Sequence, residues 1–199
     1  MSGTTDPGGS ATLLLASSSP RRLDLLRQAH IEPGRIMAPD IDETPLPREL
    51  PRAHALRIAE AKARAVALLV QDAFVLAADT VVGCGRRILP KAETREQAAR
   101  CLELLSGRRH RVYGGVCVVA PGGRSASRVV VTMVRFKRLS AEEAGGYLDS
   151  GEWRGKAGGY AIQGLAGALI PAINGSYSNV VGLPLVETIA LLTGLGWRR

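Results

Sequence analysis

Aromatic side chains are scarce, at 4% of 199 residues, and long apolar runs are missing altogether. The first shortage weighs against a single-stranded nucleic-acid platform, where bases stack on aromatic rings. The second excludes a transmembrane helix, which needs about 18 or more consecutive apolar residues. Only three cysteines are present (Cys84, Cys101, Cys117), with no C-x-x-C pair, so neither a disulfide framework nor a zinc site is expected. Three histidines (His30, His54, His110) and no G-x-S-x-G elbow leave little material for a Ser-His-Asp nucleophile. No G-x-G-x-x-G follows the first apolar strand, and Gly155-Lys156 lacks the upstream glycine of a phosphate-binding G-x-x-x-x-G-K loop, which removes the two commonest nucleotide-binding signatures. The N-terminal MSGTTDPGGS has neither the basic region nor the apolar stretch of a secretory signal. Residues 1–10 are therefore expected to form a disordered leader before a single domain at 11–199, in the cytoplasm.

What is present is a 46% hydrophobic chain carrying 26 basic against 18 acidic residues, for a net charge of +8. Such a composition can bury a full core, and it favours an anionic partner. Lysine is the rarer cation, at four positions: Lys62, Lys91, Lys137 and Lys156.

Apolar TLLLA (12–16) is predicted as a buried strand, Ser17-Ser18-Ser19-Pro20 as a turn, and the following RRLDLLRQA as a helix with Ser19 as N-cap and Pro20 in its first turn. Arg21 and Arg22 then sit at a helix start, where the macrodipole opposes cations. A serine turn, free N–H groups and two guanidiniums suit a phosphate; a plain N-cap with two solvated arginines reads equally well. Proline-rich 32–51 is a loop that carries Asp40, Asp42 and Glu43, and residues 52–70 are predicted helical with Lys62 in the middle. FVLAA (74–78) is predicted as a buried strand with Asp79 at its exit and a glycine-turned hairpin after it. Ligands in open α/β sheets bind beyond the carboxyl ends of strands, so Ser17 and Asp79 could meet on neighbouring strands; Asp79 as a simple turn residue is the alternative.

Further on, Thr94 caps a helix at 94–106 with Glu96 in its first turn, 111–120 and 127–139 form a hairpin through Pro121-Gly122-Gly123-Arg124, and Ser140 caps another helix. The glycine-dense 155–167 cannot be helical, ALI reads as a short strand, and a last helix lies near 183–196. Strands alternating with helices, with two hairpins, mean a mixed α/β fold.

LASSSPRR (15–22), EAKARAV (60–66), AADTVV (77–82), LSGRRHRVYGGVCV (105–118), GEWRGKAGGYAIQG (151–164) and INGSYSNVVGLPLVET (173–188) together resemble the Maf family of nucleoside triphosphate pyrophosphatases, from about Leu13 to Leu192. The resemblance implies a mixed twisted sheet with flanking helices in two lobes around a deep cleft, similar to inosine triphosphate pyrophosphatases. It implies hydrolysis of a nucleoside triphosphate to monophosphate and diphosphate with a divalent cation, Mg²⁺ or Mn²⁺, and a homodimer. Carried over by motif, Ser17, Arg21, Arg22, Lys62 and Lys91 would bind phosphate. Asp79 would activate water, and Glu43 with Asp79 would hold metal. Arg21, Thr80 and Gln163 would set base preference, since glutamine in A-I-Q-G resembles the dTTP/UTP-preferring branch. Lys91 departs from the pattern, being preceded rather than followed by proline. The same reaction on 7-methyl-GTP or a broad set of nucleotides is the sibling expectation. A regulatory or nucleic-acid-binding protein linked to septum formation is the competitor from another class; specific nucleic-acid or membrane partners are not expected.

Overall fold

The computed structural model describes residues 12–198, so the leader expected at 1–10 lies outside the described residues. In chain order the elements are β1 (Leu13–Leu15), α1 (Pro20–Gln28), β2 (Arg35–Ile36), α2 (Pro51–Ala67), β3 (Phe74–Cys84), β4 (Arg87–Leu89), β5 (Lys91–Ala92), α3 (Arg95–Leu105), β6 (Arg109–Val119), β7 (Ser125–Arg135), α4 (Ala141–Ser150), β8 (Lys156–Ala157), β9 (Ala172–Asn174), α5 (Tyr177–Val181) and α6 (Leu185–Gly194). The main sheet runs β2-β1-β3-β6-β7-β9, with β4 also paired to β3, and β5 pairs with β8 in a small second sheet. Only the β1 pairings are parallel. The fold is the expected mixed α/β sheet with flanking helices.

The long strands β3, β6 and β7 join two lobes. On one half of the sheet, Leu15, Leu76, Ala78 and Val116 pack against α1 and α6, while Val75, Ala77 and Cys117 pack on the other face against Ala59, Ala63 and Val66 of α2. Residues alternate between faces along a strand, which is why consecutive β3 side chains reach different helices. At the far end, Val82, Val112, Val134 and Phe136 gather α3, α4 and the glycine-rich segment around Trp153, Tyr160 and Ile162.

Two glycines make this packing close enough. Gly115 of β6 faces α2, and a Cβ there would lie 2.6 Å from the Ala55 carbonyl carbon; at Gly114, on the other face, it would lie 3.0 Å from Asn179 Cγ. Asn179, fully buried, donates its amide to the Val112 carbonyl and Thr132 hydroxyl, joining α5 to β6 and β7. Gly115→Ala must push backbone against backbone, and overpacking of this kind costs about 3 kcal/mol. Chemical denaturation should show that loss; a variant as stable as wild type would mean α2 slides freely over β6.

Several local expectations need correction. Asp79 does not end its strand: β3 continues to Cys84, because β-branched Val81 and Val82 go on pairing with β6 and β4 pairs Val82 to Cys84 on the other edge. Ser19 is the N-cap of α1, but its side chain makes no capping bond. Glu96 stands in the first turn of α3 as expected, and the capping box is completed by Gln97, bonded reciprocally with Thr94. ALI is not a strand: Leu165–Leu169 forms a 3-10 turn, and the strand comes after it, at Ala172–Asn174. The short α5 was not anticipated. No helix among the described residues is long and apolar enough to cross a membrane.

His110 is 2% exposed, and its Nε2 shares a hydrogen bond of 2.7 Å with the Tyr160 hydroxyl. Burial holds its pKa down, from 6.5 to about 4. The unfolded chain therefore takes up a proton that the folded chain refuses across this window, and stability falls as pH drops from 6.5 to 4, by about 3 kcal/mol in all. His110→Gln, which can still pair with Tyr160, should flatten that slope in urea titrations; an unchanged slope would assign it elsewhere.

Candidate active site

The site is built on a gap in the sheet. Along one edge, β3 pairs with β1 up to Leu76 and with β4 from Val82. Residues 77–81 between them have no strand partner on that edge among the described residues, so Asp79 and Thr80 are presented at an opening although they lie mid-strand. The physical effect matches what a strand exit would have provided, since β1 is the strand that stops.

Because side chains alternate, Asp79 falls on the α2 face and Thr80 on the α1 face. Lys62 lies about two turns beyond Ala55 on α2, the helix seated on Gly115, which is itself opposite Asp79 in the ladder. Its Nζ donates to Asp79 Oδ1 at 2.9 Å and to Glu43 Oε1 at 2.7 Å. Lys91 Nζ donates to Glu43 Oε2 at 2.6 Å. The four residues thus form an alternating line, Lys91, Glu43, Lys62, Asp79. Lys62 and Asp79 are 5% and 4% exposed, and a charge buried to that degree persists only when paired. Burial works against the charged form of Glu43, yet the hydrogen bonds and charges of Lys62 and Lys91 outweigh it and bring its pKa down to about 2.

On the opposite face, Arg22 donates from Nε to the Gly182 carbonyl (3.0 Å), from one terminal nitrogen to Ser17 Oγ (2.9 Å) and from the other to Thr80 Oγ1 (3.4 Å). It fastens the turn after β1, β3 and the end of α5 to one another. Ser17 Oγ also accepts the Ser19 N–H at 3.2 Å, which leaves its own proton free to donate. The Arg21 guanidinium has no protein hydrogen bond among the described residues, and burial together with the charge of Arg22 lowers its pKa. A desolvated cation beside a second cation is relieved by an anion.

These groups line one cleft of about 320 Å³ between the lobes, a size suited to a small organic ligand. Nine residues singled out from the sequence line it, Ser17, Arg21, Arg22, Glu43, Lys62, Asp79, Thr80, Lys91 and Gln163, whereas Asp40 and Asp42, on the same loop as Glu43, are exposed and lie outside it. Lys91 reaches the cleft from β5, whose pairing with β8 also places Lys156 there. Arg154, Tyr160 and Gly182 line the cleft as well and were not singled out; Gly182 stands in the NVVGLPL motif, which was the available signal. Six cations face two carboxylates in this space, and four of the six, Arg21, Arg22, Arg154 and Lys156, form no ion pair with a carboxylate among the described residues. The arrangement can hold a polyanion against a buried acid.

A donor set of two carboxylates fits a hard divalent cation only in part. Glu43 gives both oxygens to lysines, whereas Asp79 Oδ2 carries no protein hydrogen bond among the described residues. Such a set suits Mg²⁺, which keeps several waters and draws ligands from a substrate phosphate.

Residues 12–195 match the family model described as Maf-like protein. The chain belongs to the Maf family. A Maf relative from Paramagnetospirillum magneticum, named dTTP/UTP pyrophosphatase, is 64% identical over 94% of this chain and 98% of its own length. One of the same name from Caulobacter vibrioides is 62% identical over 94% and 96%. Among solved structures, a nucleoside-triphosphatase / dITP/XTP pyrophosphatase from Mycobacterium abscessus is similar at a TM-score of 0.44 and 18% identity, covering 65% of this Maf chain and 75% of the other.

Proposed function

We propose that this chain is a dTTP/UTP pyrophosphatase, which cleaves the linkage between the α and β phosphorus atoms and releases monophosphate and diphosphate. The observation that carries the reading is the pairing of Asp79 with Lys62 at the sheet gap, directly across β3 from the Ser17–Arg22 anion cradle. The names of its Maf relatives support the substrate class.

In this reading the phosphates lie against Ser17, the first turn of α1, Arg21 and Lys156, where fixed N–H groups and cations oppose the charge that develops as the bond breaks. Lys62 holds Asp79 by Oδ1, so that Oδ2 is turned to an incoming water. Asp79 takes the water proton as the water oxygen bonds to phosphorus, and the bridging oxygen departs with diphosphate. Asp79 and Glu43 would hold a divalent cation, Mg²⁺ or Mn²⁺, which when bound neutralises phosphate charge as a Lewis acid. The Gln163 carboxamide offers one donor and one acceptor to the O4 and N3–H edge of a thymine or uracil, and Arg21 and Thr80 line the same cleft.

The test is product analysis with Mg²⁺ on a nucleoside triphosphate panel. dTTP and UTP should be turned over fastest, with one diphosphate per monophosphate. Release of inorganic phosphate alone, or turnover led by 7-methyl-GTP, would overturn the reading. Cations that converge inside one concave site, with few aromatics for stacking, do not favour the nucleic-acid-binding alternative.

A further inference from the structure

Gln163 has no protein hydrogen bond for its amide among the described residues and is exposed at the cleft. A free carboxamide reads a base only if the backbone beneath it is held still, because a polar site discriminates through the geometry of its hydrogen bonds. The backbone on both sides of Gln163 is held by α4 and by the turn that follows it. Before it, the Ala161 N–H donates to the Tyr147 hydroxyl at 3.2 Å. After it, the Leu165 N–H donates to Glu152 Oε2 at 2.8 Å. Between them the Gly164 N–H closes a turn onto the Ala161 carbonyl at 3.1 Å.

Glu152 is pressed onto this turn. A Cβ on Gly164 would lie 2.8 Å from the Glu152 carboxyl carbon and 3.1 Å from Oε1, so the carboxylate lies directly against the backbone of the turn. Glu152 is in turn seated by its own neighbours. Its N–H donates to Ser150 Oγ at 3.2 Å, and the next residue, Trp153, is 3% exposed with its indole N–H on the Leu148 carbonyl at 2.8 Å. The half-buried acceptor that fixes the Gln163 turn thus sits next to Trp153, which anchors its segment in the core of the lobe at the far end of the sheet.

We infer that Glu152 is a positioning residue for base selection, with Tyr147 as its counterpart on the other side of Gln163. It touches no reacting atom and acts by fixing where the Gln163 carboxamide meets the base. The inference rests on the reading of Gln163 as the residue that faces the base.

The experiment uses the full chain with Mg²⁺ and measures kcat and KM for dTTP, UTP, dCTP and GTP in wild type, Glu152→Ala, Glu152→Gln, Gln163→Ala and the Glu152→Ala/Gln163→Ala double variant. Circular dichroism melting of each confirms folding. Glu152→Ala should lower the preference for dTTP over dCTP and GTP about tenfold, through KM for dTTP more than through kcat. Glu152→Gln keeps an oxygen that can accept from Leu165 and should restore the preference. The double variant should be no less selective than Gln163→Ala alone, because the two substitutions break the same recognition. If Glu152→Ala does not fold, Tyr147→Phe, which removes only the acceptor for Ala161, takes its place with the same expectation in smaller degree. Wild-type preference retained in Glu152→Ala, or in Tyr147→Phe when that is the variant tested, overturns the inference while hydrolysis stands. So does a loss that is equal for every nucleotide, which marks a merely structural role. A wild type that hydrolyses none of the four overturns the proposed function instead, and the inference with it.

Discussion

Asp79→Asn should lower kcat for dTTP hydrolysis by about a hundredfold to ten-thousandfold, the range that a positioned general base supplies. The substitution is nearly isosteric, and the asparagine carbonyl can still accept from Lys62 Nζ, which now stands 2.9 Å from Oδ1. Folding and substrate binding should therefore change little, and KM should stay within a few-fold of wild type. What the amide cannot do is take a proton from water. Steady-state kinetics with Mg²⁺ would decide the point: a variant with kcat within tenfold of wild type removes Asp79 from the role of base.

Lys62→Met should be the most destabilising single change in the site. The lysine side chain is 6% exposed and is the cation shared by Glu43 and Asp79, whose side chain is 5% exposed. Methionine keeps the volume and removes the charge, which leaves Asp79 buried without a partner. Breaking a buried pair in this way costs about 3–5 kcal/mol, or a fall in Tm of about 10 °C for a chain of this size. The pH dependence gives an independent check. A buried, unpaired carboxylate has its pKa raised, so stability that such a group removes at neutral pH is regained as it protonates. The gap between variant and wild type should narrow toward pH 4. A gap that stays constant from pH 7 to 4 would mean that lost packing, and not the unpaired acid, is the cause.

Both predictions concern residues that were visible in the sequence, yet the arrangement that makes them effective was not. LASSSPRR announced a strand, a turn and a helix start with two arginines, and the structure has β1 and α1 there. It could not say that Arg22 would be spent on holding Ser17, Thr80 and Gly182 together while Arg21 stayed open to a ligand. The difference depends on Gly182, which is 160 residues away along the chain. Asp79 was placed at a strand exit because the apolar run FVLAA ends there. Strand length is decided by the partners as much as by the strand: β6 pairs with β3 as far as Gly83, and β4 pairs with it on to Cys84.

The sequence by itself determined the local vocabulary: a mixed α/β order, the capped helices α3 and α4, the glycine-rich turn at 155–167, and a set of polar residues in motifs too specific to be surface decoration. Composition and periodicity act over a few residues, so those features are legible without neighbours. The tertiary structure decided where β1 stops relative to β3, and hence that Asp79 and Thr80 open onto a cleft. It also decided that α2 lies close enough on Gly115 for Lys62 to reach Asp79, and that Lys91, the residue out of pattern, still arrives at Glu43 from the small β5–β8 sheet. The scarcity of aromatics and lysines noted at the start takes its meaning from this: three of the four lysines line the cleft. Register and close approach depend on partners far along the chain, and the pairing of buried charges follows only once that register has brought them together.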